Sequence, residues 1–208
     1  MDEGRLREAL ASAMRHLYLL GHNAPGDGNA SARLGAGFLC TPTATHKGRL
    51  AASQIVRLRA DGTPVDPASR ASSELKMHLA IYAARPEIGA IVHAHSPHAT
   101  ALTLAGLSME RPTLPEAVAA LGSVPTIPYA SPTTSDVAAA VAPVVAAGAR
   151  GFLLERHGPV CLGADVDDAL TRLEVLEHTA RITWLAHVAG GATPLPDDEV
   201  ERLRRLFV

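Results

Sequence analysis

The chain of 208 residues is 47% hydrophobic but only 3% aromatic, so its core must be built from Leu, Val, Ile and Ala. Its 19 basic and 21 acidic residues leave a formal net charge of -2, which excludes the basic excess of a nucleic-acid binder. No uncharged apolar stretch is long enough to span a bilayer, and the charged first half of the N-terminal segment lacks the apolar centre of a signal peptide.

The two cysteines, Cys40 and Cys161, belong to no CxxC pattern and read as buried thiols in a reducing cytosol. We therefore expect one domain over residues 1–208, cytoplasmic, with neither nucleic acid nor membrane as partner.

In chain order, Leu6, Leu10, Met14 and Leu17 share one face of an amphipathic helix over 3–20. GHNAPGDGN (21–29) is a loop. SARL (31–34) and GFLCT (37–41) are short strands joined by a Gly-Ala-Gly turn, and IVRLR (55–59) alternates as a strand with one buried face. After the turn-rich 61–69, Ser72 or Ser73 caps a helix that ends at Pro86, with Leu75, Leu79 and Tyr82 on one face.

AIVHAH (90–95) reads as a β-branched strand running into a helix, SPHATALTLAG, and VPTIPY (124–129) as an extended segment. The Ala-rich stretch 135–149 suits a buried helix broken or restarted at Pro143. GFLLER (151–156) and PVCLG (159–163) are strands flanking His157-Gly158. A long helix over 165–187 turns Leu170, Leu173, Leu176 and Ala180 inward, and a short acidic-then-basic helix follows. Helices alternating with short strands imply a mixed or antiparallel sheet covered by helices.

His93 and His95 lie two apart in the strand-like run, a spacing that projects both imidazoles from one face. Open catalytic zinc sites commonly take three protein ligands, and His157, before a glycine at a strand junction, is the candidate third. Glu74, at a helix start, complements the helix dipole or serves as a general acid/base beside a metal. Ser72 and Ser73 at the same helix start, with the loops Gly28–Ser31 and Thr41–Thr43, offer donors suited to a phosphate or carboxylate. His78, His98 and His178 read as structural or surface residues.

Taken together, G-N-x-S at 28–31, T-P-T at 41–43 with K-G-R-L at 47–50, S-S-E at 72–74, HAHSPHAT at 93–100, P-Y at 128–129 and RHG at 156–158 resemble the class II aldolase/adducin family. The resemblance implies a three-layer α/β/α sandwich around a mostly antiparallel sheet, assembled as a homotetramer with sites near subunit boundaries. It implies that His93, His95 and His157 bind Zn2+, with Mn2+ or Co2+ as alternatives, and that Glu74 is the acid/base. Phosphate contacts fall to Asn29, Ser31, Thr43, Ser72 and Ser73, and the partner is a small sugar phosphate or hydroxy-carbonyl compound.

Two departures stand out. Ala44 replaces the glycine that aldolases of the family usually carry after the threonine. Glu116 falls near the place of a proton-donating tyrosine, with Tyr129 the nearest remaining phenol. The implied activity is zinc-dependent retro-aldol cleavage of a phosphorylated ketose of the fuculose-1-phosphate type through an enediolate. A decarboxylase, dehydratase or 4-epimerase of the same family is the alternative. A non-catalytic adducin-type module is disfavoured because all four chemistry-bearing positions are filled.

Overall fold

The computed structural model describes residues 2–207. Among these, seven strands form one sheet: β1 (Asn29–Leu34), β2 (Gly37–Cys40), β3 (Val56–Leu58), β4 (Ala90–His93), β5 (Thr126–Ile127), β6 (Gly151–Leu154) and β7 (Gly158–Gly163). They lie in the order β3-β2-β1-β4-β7-β6-β5, antiparallel throughout except for the parallel pair β5–β6. The sheet is thus mixed, with one parallel pair at its edge.

Alternation along the central strands sorts side chains between two helical layers. Ala90 and Val92 of β4 and Cys161 of β7 pack with α1 (Glu3–Leu19), α3 (Pro97–Leu104) and α6 (Val166–Val188). Ile91, Val160 and Leu162 point the other way, onto α2 (Leu75–Ala84) and α5 (Ser135–Ala146). The three-layer sandwich follows directly. Cys40 and Cys161 are free, buried, and in different layers of the core.

The inward faces are mostly those that the apolar spacing predicts. Leu6, Leu10, Met14 and Leu17 of α1 are buried, as are Leu173, Leu176 and Ala180 of α6, with Leu170 half-buried against the core. In α5, Val137, Val141 and Val145 recur at helical spacing and are buried, each contributing about 1.5–3 kcal/mol relative to an exposed side chain. None of the described helices is long and apolar enough to cross a membrane.

Four local expectations are corrected. The helix α5 continues through Pro143, because losing one N–H and one internal hydrogen bond is tolerated where three buried valines anchor the helix. The buried face of α2 consists of Met77, His78, Ile81 and Tyr82, while Leu75 and Leu79 are only partly covered. That helix begins after Glu74, and Ser72 Oγ accepts from the Glu74 backbone N–H rather than capping a turn further on. β4 ends at His93, so His95 belongs to the following loop. Two further α-helices are α4 (Pro115–Ala120), which the apolar spacing does not announce, and α7 (Asp197–Phe207), and two short 3-10 turns lie at Lys47–Arg49 and Ala52–Gln54.

Candidate metal and acid–base site

The site forms where β1 begins, β4 ends and β7 begins, because antiparallel pairing brings those three strand ends together. Asn29 stands opposite His93, and His93 opposite Val160. His93 shares the face of Ile91 and points toward α2. Its Nδ1–H donates to the Pro159 carbonyl at 2.8 Å, which leaves Nε2 bare, buried and without a hydrogen bond.

His95 is positioned by loop residues instead of by a strand. Its backbone N–H donates to Asn23 Oδ1 at 3.0 Å, and its Nδ1 faces Asp27 Oδ2 at 3.3 Å. Its Nε2 is again buried and unpartnered. Glu177 of α6 secures the far side of that loop. Its buried carboxylate accepts from the backbone N–H groups of His98 and Ala99, at 2.9 and 2.8 Å, and pairs with His98 Nδ1 at 2.8 Å. An anion at the start of α3 complements the dipole of that helix and fixes the loop's exit.

His157 occupies the turn between β6 and β7, where Arg156 (φ 62°) and Gly158 (φ 151°) take backbone conformations that L side chains rarely adopt. The three rings converge, with centroids 5.0 Å (His93–His95), 4.8 Å (His93–His157) and 4.5 Å (His95–His157) apart. The Glu74 carboxylate stands 3.4 Å from Nε2 of both His93 and His157. One ligand atom from each of these four residues lies within 4.8 Å of the others.

Electrostatics favours neutral imidazoles here. Burial, and then the neighbouring His157, holds His93 well below the usual histidine range. Burial, with His93 and His157 beside it, brings His95 down to about 4. Bare, buried, neutral ring nitrogens facing one point are costly unless something accepts their lone pairs. A divalent cation does so, and two of the rings have their other nitrogen turned to an oxygen, as metal-binding histidines commonly do. The residues fit a metal.

A cleft of about 220 Å³ opens beside the cluster, and Glu74, His95 and His157 line it. Thr43, Ser72 and Ser73 line it too, as the polar-loop argument expects. Their two segments are laced together by Ser72 N–H to the Thr41 carbonyl and Thr43 N–H to the Arg70 carbonyl. Ala44 also lines the cleft, at φ 51°. A larger groove of about 560 Å³, bordered by Glu110, Arg150 and Arg204, includes none of these residues. Chemistry, not size, marks the site.

Three expected residues are placed elsewhere or used differently. Ser31 is fully buried behind the cleft, bonded to His78 and Tyr82. Glu116 is exposed in the first turn of α4, where it complements the helix dipole. Tyr129 is 59% exposed, its backbone N–H held by Glu155, and its side chain is not part of the cleft wall. Asn29 does line the cleft, but its amide is engaged at both ends, with Glu74 and His78.

Sequence reasoning missed Asn23, Asp27, Glu177 and Lys47. Lys47 is 2% exposed and lines the cleft, its Nζ donating only to the carbonyls of Gly26 (3.2 Å) and Thr45 (3.0 Å). Burial lowers its pKa, opposed by the Asp27 charge. The K-G-R-L signal was visible, but nothing in it announced a buried cation.

Comparison with known proteins agrees with this geometry. The Class II Aldolase and Adducin N-terminal domain matches residues 8–184. The chain is 39% identical over 213 residues to a 3-oxo-tetronate 4-phosphate decarboxylase of Cupriavidus necator, covering 99% of this chain and 97% of the relative. It is 35% identical over 187 residues to a methylthioribulose-1-phosphate dehydratase of Acidiphilium cryptum, covering 82% and 89%. Among solved structures, an L-fuculose 1-phosphate aldolase superposes with a TM-score of 0.89 at 28% identity, covering 98% of this chain and 96% of the aldolase. The chain therefore belongs to the class II aldolase/adducin family.

Proposed function

We propose that this enzyme is a metal-dependent decarboxylase of a phosphorylated 3-oxo sugar acid, of the 3-oxo-tetronate 4-phosphate type. The observation that carries the reading is the 39% identity to such a decarboxylase along essentially the whole of both chains. Retro-aldol cleavage, which the sequence resemblance first suggests, has its support in the likeness of fold to the fuculose phosphate aldolase.

The cleft's chemistry supports the same choice. When the carboxylate leaves as carbon dioxide, the electron pair of the broken carbon–carbon bond moves toward the neighbouring carbonyl, forming an enediolate. One proton must then be delivered to carbon, and we assign that delivery to Glu74, which takes the proton up from water before each turnover. Cleaving a ketose into two carbonyl compounds requires a further group to handle the proton of the hydroxyl that becomes the aldehyde. Glu116 and Tyr129, the side chains expected there, stand outside the cleft of this chain.

His93, His95 and His157 would hold the cation, zinc by the three-nitrogen donor set, which supplies positive charge where the oxyanion develops. Thr43, in the loop after β2, and Ser72 and Ser73, just before α2, receive the phosphate, and Lys47 supplies the positive side chain that offsets its charge. Decarboxylation of a four-carbon 2-hydroxy-3-oxo acid 4-phosphate in this orientation yields dihydroxyacetone phosphate.

The test is a product assay with zinc-loaded protein. Release of carbon dioxide and dihydroxyacetone phosphate from 3-oxo-tetronate 4-phosphate is expected. Loss of water from methylthioribulose 1-phosphate, or aldehyde from fuculose 1-phosphate, without carbon dioxide from the 3-oxo acid, would overturn the assignment. Glu74→Gln should retain metal and lose about 100-fold or more in kcat.

A further inference from the structure

We infer that His78, acting through Asn29, is a positioning residue for Glu74, the last link of a buried relay that runs Tyr82, Ser31, His78, Asn29, Glu74. The inference rests on the reading of Glu74 as the proton-transfer group. Asn29 Nδ2 meets Glu74 Oε2 at 2.7 Å, and Asn29 Oδ1 meets His78 Nε2 at 2.6 Å. His78 Nδ1 meets Ser31 Oγ at 2.7 Å, and Ser31 Oγ meets the Tyr82 hydroxyl at 2.9 Å.

The direction of every bond follows from its neighbour. A carboxylate can only accept, so the Asn29 amide must turn its NH2 to Glu74 and its oxygen to His78. His78 Nε2 must then carry the hydrogen, which leaves Nδ1 bare. Ser31 must donate to that bare nitrogen, and Tyr82 must donate to Ser31. All four hydrogens point toward Glu74. With Glu74 as the resting carboxylate and His78 neutral, no other tautomer, amide flip or hydroxyl rotation satisfies the whole chain.

Its members are buried, with Asn29 and Glu74 bordering the cleft. Asn29 is 3% exposed, Ser31 and His78 are fully buried, and Tyr82 is 3% exposed. Tyr82 is clamped in turn, stacked on Phe38 with centroids 4.7 Å apart and covered by the Arg33 guanidinium at 4.6 Å. Burial lowers the His78 pKa to about 4, so the imidazole stays neutral, as the alternation of donor and acceptor requires. Strand alternation explains the assembly. Asn29 and Ser31 are two apart on β1 and share the face toward α2, where His78 and Tyr82 are one helical turn apart.

The relay holds one oxygen of Glu74 in place and leaves the other facing His157. A carboxylate so fixed is already aimed, whereas a free one must find the reacting carbon on each turnover. His78, Ser31 and Tyr82 lie on the core side of Asn29 and outside the cleft lining, so loss of the His78 link touches kcat and leaves substrate affinity alone.

The experiment compares His78→Asn, which is too short to donate to Asn29, with His78→Gln, whose amide still reaches it. In the decarboxylation assay with zinc-loaded protein, His78→Asn should lower kcat about 10–100-fold, with KM and zinc content unchanged. His78→Gln should recover most of that loss. Nitrogen NMR of the resting zinc protein, the His78 signal assigned by its absence in His78→Asn, should show a protonated Nε2 and a bare Nδ1.

The opposite tautomer would overturn the inference. So would an unchanged kcat in a folded His78→Asn protein, or equal losses of kcat, KM and zinc in both variants. If wild-type protein released no carbon dioxide, the decarboxylase reading would fall, and the tautomer measurement alone would decide the relay.

Discussion

A Cβ built on Gly158 falls 2.2 Å from the Ala94 carbonyl oxygen and 3.0 Å from the His95 Cα, so the loop carrying one imidazole is packed directly on the turn carrying another. At φ 151° the same residue occupies a backbone region that side chains avoid. Gly158→Ala must push the two loops apart and separate His95 from His157. We expect zinc affinity to fall at least tenfold, with a loss of about 1–3 kcal/mol in stability. Isothermal titration with zinc and urea denaturation of the metal-free protein measure the two effects. Wild-type affinity in the variant would show that the rings are positioned independently of this contact.

Lys47 carries a positive charge into the protein with only two carbonyl partners. Its nearest counter-charge, Asp27, lies toward His95 instead. A dianionic phosphate in the cleft would complete its surroundings. Lys47→Met should raise KM for a phosphorylated substrate about tenfold or more while kcat falls less, and it should not lower thermal stability, since a buried cation is removed. A KM equal to wild type in steady-state assays would remove Lys47 from phosphate recognition.

Ala44, at φ 51°, holds a left-handed conformation that costs an L-residue about 1–2 kcal/mol and a glycine nothing. Ala44→Gly should therefore stabilise the protein by up to about 1 kcal/mol, the gain being reduced by glycine's greater freedom when unfolded. Thermal denaturation of the two proteins would reveal it. A clear fall in Tm would mean that the methyl group makes contacts worth more than the strain.

Acid should weaken the fold through the buried imidazoles. The pKa of His78 falls from 6.5 to about 4 on burial. Within that window the unfolded chain binds a proton that the folded chain refuses. The stability contribution is complete above pH of about 6.5, and it is lost progressively as pH falls toward 4, a change on the order of 3 kcal/mol for this residue alone. His95, brought down to about 4, acts in the same direction. Urea denaturation of metal-free protein between pH 7 and pH 4.5 should show the decline, shallower in His78→Asn. A flat profile would mean that His78 is accessible to protons in the native state.

What the sequence made legible was local and periodic. The helical spacing of Leu6, Leu10, Met14 and Leu17 gave the buried face of α1, and the β-branched run around Ile91 gave β4. The HxH spacing found two converging imidazoles, although β4 stops at His93 and a different force aims His95. That force comes from Asn23 and Asp27, some seventy residues away, and Glu177 braces the loop from a comparable distance. Contacts of that range leave no pattern in a single sequence. Ser31 shows the opposite failure. It stood in a polar loop motif and looked like a phosphate ligand, yet strand alternation put it behind Asn29, in the relay. His78 and Tyr82 were visible one turn apart, but Leu75 and Leu79 suggested a different inward face.

The pairing of Asn29 with His93, and of His93 with Val160, also bears on when the site comes into being. Its parts come from the opening of β1, the close of β4 and the turn before β7, segments separated by more than sixty residues of chain. They meet only once the middle of the sheet has zipped together, a non-local step that is slow in folding. A cation therefore cannot seed this fold as it does in a small zinc domain. A bound cation would find a finished cage and hold it shut by mass action, so metal supply would set how stable the native state is and not how fast it forms.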